Sequence, residues 1–160
     1  MTQTTPSVQL YSVRDALAAD LGGTLARIAG LGLDTVEVFG FTDRAPELAA
    51  ALQAAGLKAP TGHASFLTDV DADARAAVFE AATALGLDIV IDPFVHPDRW
   101  ASEEEVARTA ELLNQAAAEA AAYGLTVGYH NHAHEFAHSF DASTGSAPVT
   151  GSAPVSAFEA

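Results

Sequence analysis

The residues best suited to chemistry lie in one short segment, residues 129–136 (YHNHAHEF), which holds three of the six histidines; a fourth follows at His138. In an extended segment alternate residues share a face, so we expect His130 and His132 to point the same way, followed by His134. Imidazole and carboxylate groups bind borderline divalent metals, and Glu135 adds an anionic oxygen. The pattern predicts a metal or substrate site. The alternatives are a solvated histidine-rich loop and a tract that binds metal adventitiously.

Other polar residues suited to ligand binding follow or interrupt short apolar runs. They are Gln9, Glu37, His63, Asp92 and His96. Glu37 lies within TVEVF, where burying a carboxylate is costly without a partner. Glu37 therefore either binds substrate or forms an internal ion pair, for which Arg14 is the nearest candidate in sequence. Gly62, next to His63, is predicted to let the backbone approach a ligand closely.

Composition limits both the class of protein and the kind of metal site. The chain of 160 residues is 49% hydrophobic and 18% charged, which is typical of a globular domain with a core. It has no cysteine, so any metal must take His, Asp or Glu ligands. A net charge of −14 opposes binding to nucleic acid or anionic membranes. No membrane span or signal peptide is evident, so we expect a cytoplasmic protein.

A repeated pattern indicates the elements that position these residues. An Ala-rich stretch, a Gly-Leu pair and a β-prone run recur four times, with the pairs at Gly32-Leu33, Gly56-Leu57, Gly86-Leu87 and Gly124-Leu125. Glycine just past a helix adopts the left-handed conformation that ends it, so each pair predicts a helix end and a strand start. The predicted helices are 21–31, 44–55, 71–85 and 102–123, the last with a capping box at Ser102 and Glu105. The predicted strands are 8–11, 35–39, 57–61, 89–91 and 126–129.

Alternating strands and helices predict parallel strand pairing, in either an open doubly wound sheet or a closed barrel. No strand-to-helix junction carries a GxGxxG or GxxxxGK[ST] loop, and polar residues gather after the strands, which favours the barrel. We predict an α/β fold over residues 1–141: a partial (β/α) TIM barrel with about five parallel strands and four helices. Residues 142–160 contain TGSAPV twice and are predicted to be a flexible low-complexity tail.

Taken in chain order, several motifs resemble the sugar phosphate isomerase/epimerase family, which has a xylose isomerase-like TIM barrel and includes inosose dehydratases and ketose epimerases. The motifs are QLYSVR at residues 9–14, VEV at 36–38, Gly62-His63 and GYHNHAHEF at 128–136. The last of these is the most specific. The resemblance covers residues 8 to about 140, and we expect this to be the N-terminal half of such a barrel.

The resemblance implies one divalent metal, manganese, cobalt, magnesium or zinc, at the barrel mouth, with Glu135 as a ligand and His130 and His132 lining the site. Family members draw further ligands, an Asp, a His and a Glu, from later strands than those predicted here. From the resemblance and the residues together we make the following assignment. The predicted catalytic residues are Glu135 and His132, the metal ligands Glu135 and His130, and the substrate-binding residues Gln9, Glu37, His63 and His130.

The implied reaction is metal-assisted proton transfer next to a carbonyl on a sugar or polyol, giving isomerisation, epimerisation or dehydration. We expect the site to be incomplete in this chain, with no efficient turnover. The alternative is a non-catalytic half-barrel that binds metal non-selectively or self-associates through open sheet edges, because unpaired edges invite pairing. Neither interpretation includes a nucleic-acid or membrane partner.

Overall fold

The computed structural model describes residues 6–68, 70–137, 139–140 and 155–156. Five strands form one sheet in the order β1-β2-β3-β4-β5. They are β1 (Val8–Gln9), β2 (Thr35–Phe39), β3 (Lys58–His63), β4 (Ile89–Asp92) and β5 (Thr126–Tyr129). Every neighbouring pair is parallel. The predicted α/β fold with five parallel strands is therefore confirmed.

Five α-helices connect and flank these strands. They are α1 (Arg14–Ala19), α2 (Leu21–Gly30), α3 (Ala45–Ala55), α4 (Ala72–Leu85) and α5 (Glu103–Ala121). Four of them, α2 to α5, correspond to the predicted helices. The prediction of four helices is wrong by one, because the six residues of α1 are too few to show a helical period. A short 3₁₀ turn follows each of β1, β2, β4 and β5. These turns are Leu10–Val13, Thr42–Arg44, Pro97–Trp100 and Ala133–Phe136.

The Gly-Leu junctions end helices as the repeat predicts. The four glycines have φ between 71° and 84°, in the left-handed region. After α3, the N–H of Leu57 donates to the carbonyl of Leu52 at 3.0 Å, and after α4 Leu87 donates to Ala82 at 3.0 Å. These bonds satisfy carbonyl groups that a helix end leaves without an intrahelical partner. Each junction thus turns the chain from helix into strand.

The start of α5 confirms half of the predicted capping box. Ser102 Oγ accepts a hydrogen bond from the N–H of Glu105 at 3.3 Å. The Glu105 carboxylate contacts Arg99 at 2.9 Å and Arg108 at 3.1 Å. The serine therefore caps the helix, while the glutamate links α5 to the loop that precedes it.

The core lies on the helix-covered face of the sheet. In β2 burial alternates, with Val36 and Val38 fully buried and Glu37 half-buried between them. Val90 of β4 is also fully buried, and Phe41 packs in the same core cluster. Buried valines thus mark one face of the sheet, and Glu37 marks the other. This division leaves the second face for polar groups.

Gly62 belongs to the packed face, so its predicted role is wrong. An added Cβ at Gly62 would lie 2.8 Å from Leu87 Cδ1 and Val38 Cγ2, and 2.9 Å from Phe41 Cε1. The glycine is needed because three core side chains fill the space around it, rather than because a ligand approaches the backbone.

The predicted tail at 142–160 lies outside the described residues except for β7 (Val155–Ser156), which pairs antiparallel with β6 (Ser139–Phe140). Within the described ranges, no helix is long and apolar enough to cross a membrane.

The packing around Gly62 predicts that Gly62→Ala lowers the free energy of unfolding by about 1–3 kcal/mol, because the extra methyl overpacks the core. Gly30→Ala is the matched control: an added Cβ there meets nothing within 4 Å, and alanine favours the helix, so stability should stay level or rise. Denaturant-induced unfolding of both variants measures the difference. Equal stability of the two variants would show that the described packing is wrong.

Candidate active site

A cavity of about 410 Å³ opens at the C-terminal end of the sheet. It is lined by Gln9, Tyr11, Phe39, Gly40, His63, Ala64, Ser65, Pro93, Phe94, His130 and His132. Four of the predicted site residues therefore stand in one wall, although they come from different parts of the chain. The two predicted carboxylates, Glu37 and Glu135, lie next to this wall and contact its histidines.

Glu37 and His63 form a hydrogen-bonded pair beside the cavity. Glu37 Oε1 lies 3.1 Å from His63 Nε2, and Glu37 Oε2 accepts a hydrogen bond from Thr61 Oγ1 at 2.7 Å. Gln9 Nε2 lies 3.3 Å from His63 Nδ1. A carboxylate only accepts, so Nε2 of His63 carries the proton and Nδ1 accepts from the Gln9 amide. Three neighbouring strands thus fix the orientation of this imidazole.

Arg14 is not the partner of Glu37, so the predicted ion pair between them is wrong. Arg14 Nη1 donates to the carbonyl of Tyr11 at 3.1 Å, and its guanidinium carbon lies 4.6 Å from the centre of the Tyr11 ring. Arg14 begins α1, whereas Glu37 faces the cavity side of β2. Glu37 instead forms a hydrogen-bonded pair with His63, in place of the predicted ion pair with Arg14.

The surroundings of His63 favour its neutral form. The residue is buried, at 7% exposure, and burial lowers the pKa of His63. The negative charge of Glu37 raises this pKa in part, while the neighbouring His130 lowers it further. A neutral imidazole can donate or accept a hydrogen bond without bringing a charge into the cavity wall.

Asp92, the last residue of β4, holds together the loops that border the cavity. It is buried, and its Oδ2 accepts from the N–H groups of Phe66 at 2.8 Å and Leu67 at 2.9 Å. Oδ1 accepts from Phe94 at 3.1 Å. Burial raises the pKa of Asp92, and these three bonds oppose that rise. Sequence reasoning noted Asp92 as a polar strand-end residue but missed this role, and only the adjacent proline at residue 93 hinted at a constrained loop.

Four imidazole rings lie in a row across the cavity mouth. The ring centres are 5.3 Å apart for His63 and His130, 4.9 Å for His130 and His132, and 5.6 Å for His132 and His134. Phe94 contacts the far end of this row, with its ring centre 5.7 Å from His132 and 5.6 Å from His134. The row joins the Glu37–His63 pair to the segment that carries Glu135.

Glu135 lies in the 3₁₀ turn after β5 and is fully buried. Its carboxylate accepts hydrogen bonds from the Tyr129 hydroxyl and, at 2.7 Å, from the backbone N–H of His132. Burial raises the pKa of Glu135, but these hydrogen bonds and nearby His134 outweigh burial and hold the pKa below its usual value. Glu135 therefore supplies an anionic oxygen at neutral pH.

The residues around Glu135 fit a divalent metal. His132, His134 and Glu135 each place one donor atom within 4.8 Å of the others. His134 Nε2 lies 3.1 Å from the carbonyl oxygen of Val95 and 3.4 Å from Glu135 Oε1, so this nitrogen carries a proton without metal and would release it on binding an ion. The predicted ligand His130 is not in this group, although its ring neighbours that of His132.

The Glu37–His63 contact predicts that Glu37→Gln lowers the pKa of His63 further, because the carboxylate charge that favours the imidazolium is removed. The Cε1 proton of His63, followed by NMR against pH, measures this change. Glu47→Gln removes an exposed carboxylate on α3 and should leave the His63 titration as it is. An unchanged or raised pKa of His63 in Glu37→Gln would contradict the described pair.

Comparison with known proteins places this geometry in a family. A model of the xylose isomerase-like TIM barrel family matches residues 25–145. No curated protein matches the chain.

Solved structures share the fold at low sequence identity. A sugar phosphate isomerase/epimerase from Parabacteroides distasonis superposes with a TM-score of 0.70 at 22% identity, over 85% of this chain and 55% of that chain. A xylose isomerase-like TIM barrel protein from Mycobacterium smegmatis in complex with magnesium gives 0.59 at 14%, over 79% and 55%. The 3-keto-D-glucoside 4-epimerase from E. coli gives 0.52 at 17%, over 69% and 50%.

The chain spans about half the length of these solved structures. The five-stranded parallel sheet accordingly matches part of a TIM barrel, as the sequence predicts. The residues that match the family model make up well over half of the sequence and include the GYHNHAHEF segment. The chain therefore belongs to the xylose isomerase-like TIM barrel family.

Proposed function

We propose that this chain contributes to metal-assisted proton transfer next to a carbonyl of a sugar or polyol, in isomerisation, epimerisation or dehydration. The single observation that carries the proposal is the shared cavity wall. It brings neutral His63, together with His130 and His132, beside two carboxylates, Glu37 and Glu135. Hydrogen-bond donors and an adjacent proton acceptor are what this reaction needs from a protein.

The residues divide into those that hold the substrate and those that move a proton. The Gln9 amide and the ring nitrogens of His63 and His130 are placed to hydrogen-bond hydroxyl groups of a substrate in the cavity. Glu37, whose Oε1 contacts His63 beside the cavity, is the group that takes a proton from the substrate and returns it, whereas His132, on the same wall with a side chain 42% exposed, is left to bind a metal ion. Glu135 is buried and already accepts two hydrogen bonds, which suits a fixed anionic ligand better than a mobile base.

A divalent ion held by Glu135, His132 and His134 would act as a Lewis acid on the substrate carbonyl. The mixture of imidazole and carboxylate donors suits manganese, cobalt or zinc, whereas magnesium prefers oxygen ligands and keeps its waters. The solved relatives are about twice as long as the matched region. We propose that the remainder of such a barrel supplies further ligands to the ion.

The cavity fits a small uncharged sugar or polyol. Its volume of about 410 Å³ is in the range of ligand pockets. Among the described residues that line it there is no lysine or arginine, and Tyr11 and Phe94 expose 52% and 47% of their surface. Aromatic faces pack against the apolar face of a sugar ring. With a net charge of −14, nucleic acid and anionic membranes are unsuitable partners.

A second candidate function, self-association, is favoured by the sheet edges. In the described part of the chain, β1 and β5 each pair with one neighbouring strand only. The free edge of a parallel strand carries N–H and C=O groups that can pair with another chain. A non-catalytic form of the protein would use these edges to associate, with or without non-selective binding of metal at the histidine-rich segment.

The proposed function predicts that the full chain binds about one manganese ion, and that Glu135→Gln and Glu135→Ala weaken this binding strongly because the anionic ligand is lost. Calorimetric titration measures the stoichiometry and affinity. Glu47→Gln, in an exposed carboxylate on α3, should bind as the unaltered chain does. Several weak sites that persist in Glu135→Ala would instead indicate non-selective binding and contradict the proposed site.

The same proteins test turnover. With manganese in deuterated water, we expect this chain to exchange the proton beside a ketose carbonyl slowly or not at all. A catalytic metal needs a fixed geometry and an enclosed cavity, and we propose that further ligands come from the remainder of a barrel. A robust exchange rate that Glu135→Ala abolishes would show that the chain contains a complete catalytic site.

If the free sheet edges mediate self-association, the fraction of associated protein should rise with protein concentration. It should fall in Thr126→Lys, because a lysine on the edge strand β5 opposes pairing with another chain. Ala118→Lys adds the same charge at an exposed position on α5 and should leave association unchanged. Sedimentation velocity over a range of concentrations measures both variants. A monomer at every concentration would contradict self-association.

A further inference from the structure

Tyr129 contacts the buried carboxylate of Glu135 from the end of the strand that precedes the Glu135 turn. It is the last residue of β5, and its hydroxyl donates to Glu135 Oε1. The ring of Trp100 packs against it, with ring centres 5.3 Å apart and an angle of 32° between the planes. Trp100 is itself buried in the core, at 7% exposure. The phenol is therefore confined by a large side chain that has little room to move.

The Tyr129 hydroxyl is protonated at neutral pH and donates to Glu135. Burial raises the pKa of Tyr129, and the hydrogen bond to Glu135 and the negative charge of that carboxylate raise it further. The carboxylate is ionised, so the bond is charge-assisted and stronger than one between neutral groups.

The two donors on Glu135 hold opposite ends of the carboxylate. Tyr129 contacts Oε1 and the His132 N–H contacts Oε2, which fixes the plane of the group. Nitrogen atoms of His132 and His134 lie 3.9 Å and 3.4 Å from Oε1. The oxygen that Tyr129 holds is thus also the one nearest to the two imidazoles.

We propose that Tyr129 is a positioning residue for the metal site: its hydroxyl, supported by Trp100, orients the Glu135 carboxylate toward His132 and His134. The inference rests on the proposed function in that Glu135 is taken as a metal ligand. Hydrogen-bond partners of metal ligands typically change affinity by about 10–100-fold when removed. Tyr129 acts through Glu135 and does not itself bind the ion.

The test compares Tyr129→Phe with Tyr123→Phe in the full chain. Tyr129→Phe removes only the hydroxyl and keeps the ring that packs on Trp100. Tyr123 lies between α5 and β5, with its ring 5.7 Å from that of Phe79, and Tyr123→Phe makes the same chemical change away from the site. Trp100 is the one tryptophan in the sequence, so its fluorescence maximum shows whether a variant keeps this packing.

Two measurements are made on each protein. Calorimetric titration with manganese should show an affinity about 10–100-fold weaker in Tyr129→Phe and unchanged in Tyr123→Phe. In the metal-free protein, hydrogen exchange of the His132 amide is followed by NMR. It should be faster in Tyr129→Phe alone, because the Glu135 carboxylate that accepts from this amide is no longer held in place. A purely structural role would lower global stability without this selective loss of protection at His132.

The outcomes separate this inference from the proposed function. If the unaltered chain binds manganese and Tyr129→Phe binds it equally well, the positioning role is overturned and the proposed metal site stands. If the unaltered chain binds no manganese, the proposed function fails, and His132 exchange alone decides whether Tyr129 orients Glu135. Unchanged exchange in that case overturns the inference as well.

Discussion

Parallel pairing of five strands in chain order is the constraint on which the rest of the structure depends. It places every strand's carboxyl end at one edge of the sheet. The register then sets residues side by side: Gln9 lies opposite Glu37, and Glu37 opposite Thr61. Between β4 and β5, Asp92 lies opposite Tyr129. Side chains from five separate segments thus meet without any of them being close in sequence.

The polar groups gathered at this edge are tolerated because each buried carboxylate has donors. Asp92 accepts three backbone N–H groups, whereas Glu135 accepts one hydroxyl and one N–H, and Glu37 contacts Thr61 and His63. An unpaired carboxylate at these depths would cost several kcal/mol, on the order expected for a buried polar group without a partner. The partners also decide chemical character. Backbone amides make Asp92 a structural tie between loops, while side-chain contacts leave His63 on the cavity wall and Glu135 beside the histidine-rich segment.

Local patterns predicted the elements well, because glycine conformation and strand composition act over a few residues. The Gly-Leu junctions predicted the ends of α3 and α4, and β2 has the predicted bounds. The short helix α1 carries no such signal. Contacts within the site were harder, since Gln9 and His63 are 54 residues apart and Glu37 and Thr61 are 24 apart. Sequence proximity suggested Arg14 for Glu37, but the sheet register placed His63 there. Asp92 links two loops by accepting hydrogen bonds from backbone N–H groups. The direction of a backbone N–H cannot be read from the residue type, so the sequence did not predict this role.

We propose that the C-terminal ends of strands β1 to β5 together form one metal and substrate site. Diffraction from crystals grown with manganese, recorded at the manganese absorption edge, tests it most directly. We expect one anomalous peak within coordination distance of Glu135, between His132 and His134. A peak found only at an exposed pair such as His96 and Asp98, or no peak in the cavity region at all, would contradict it.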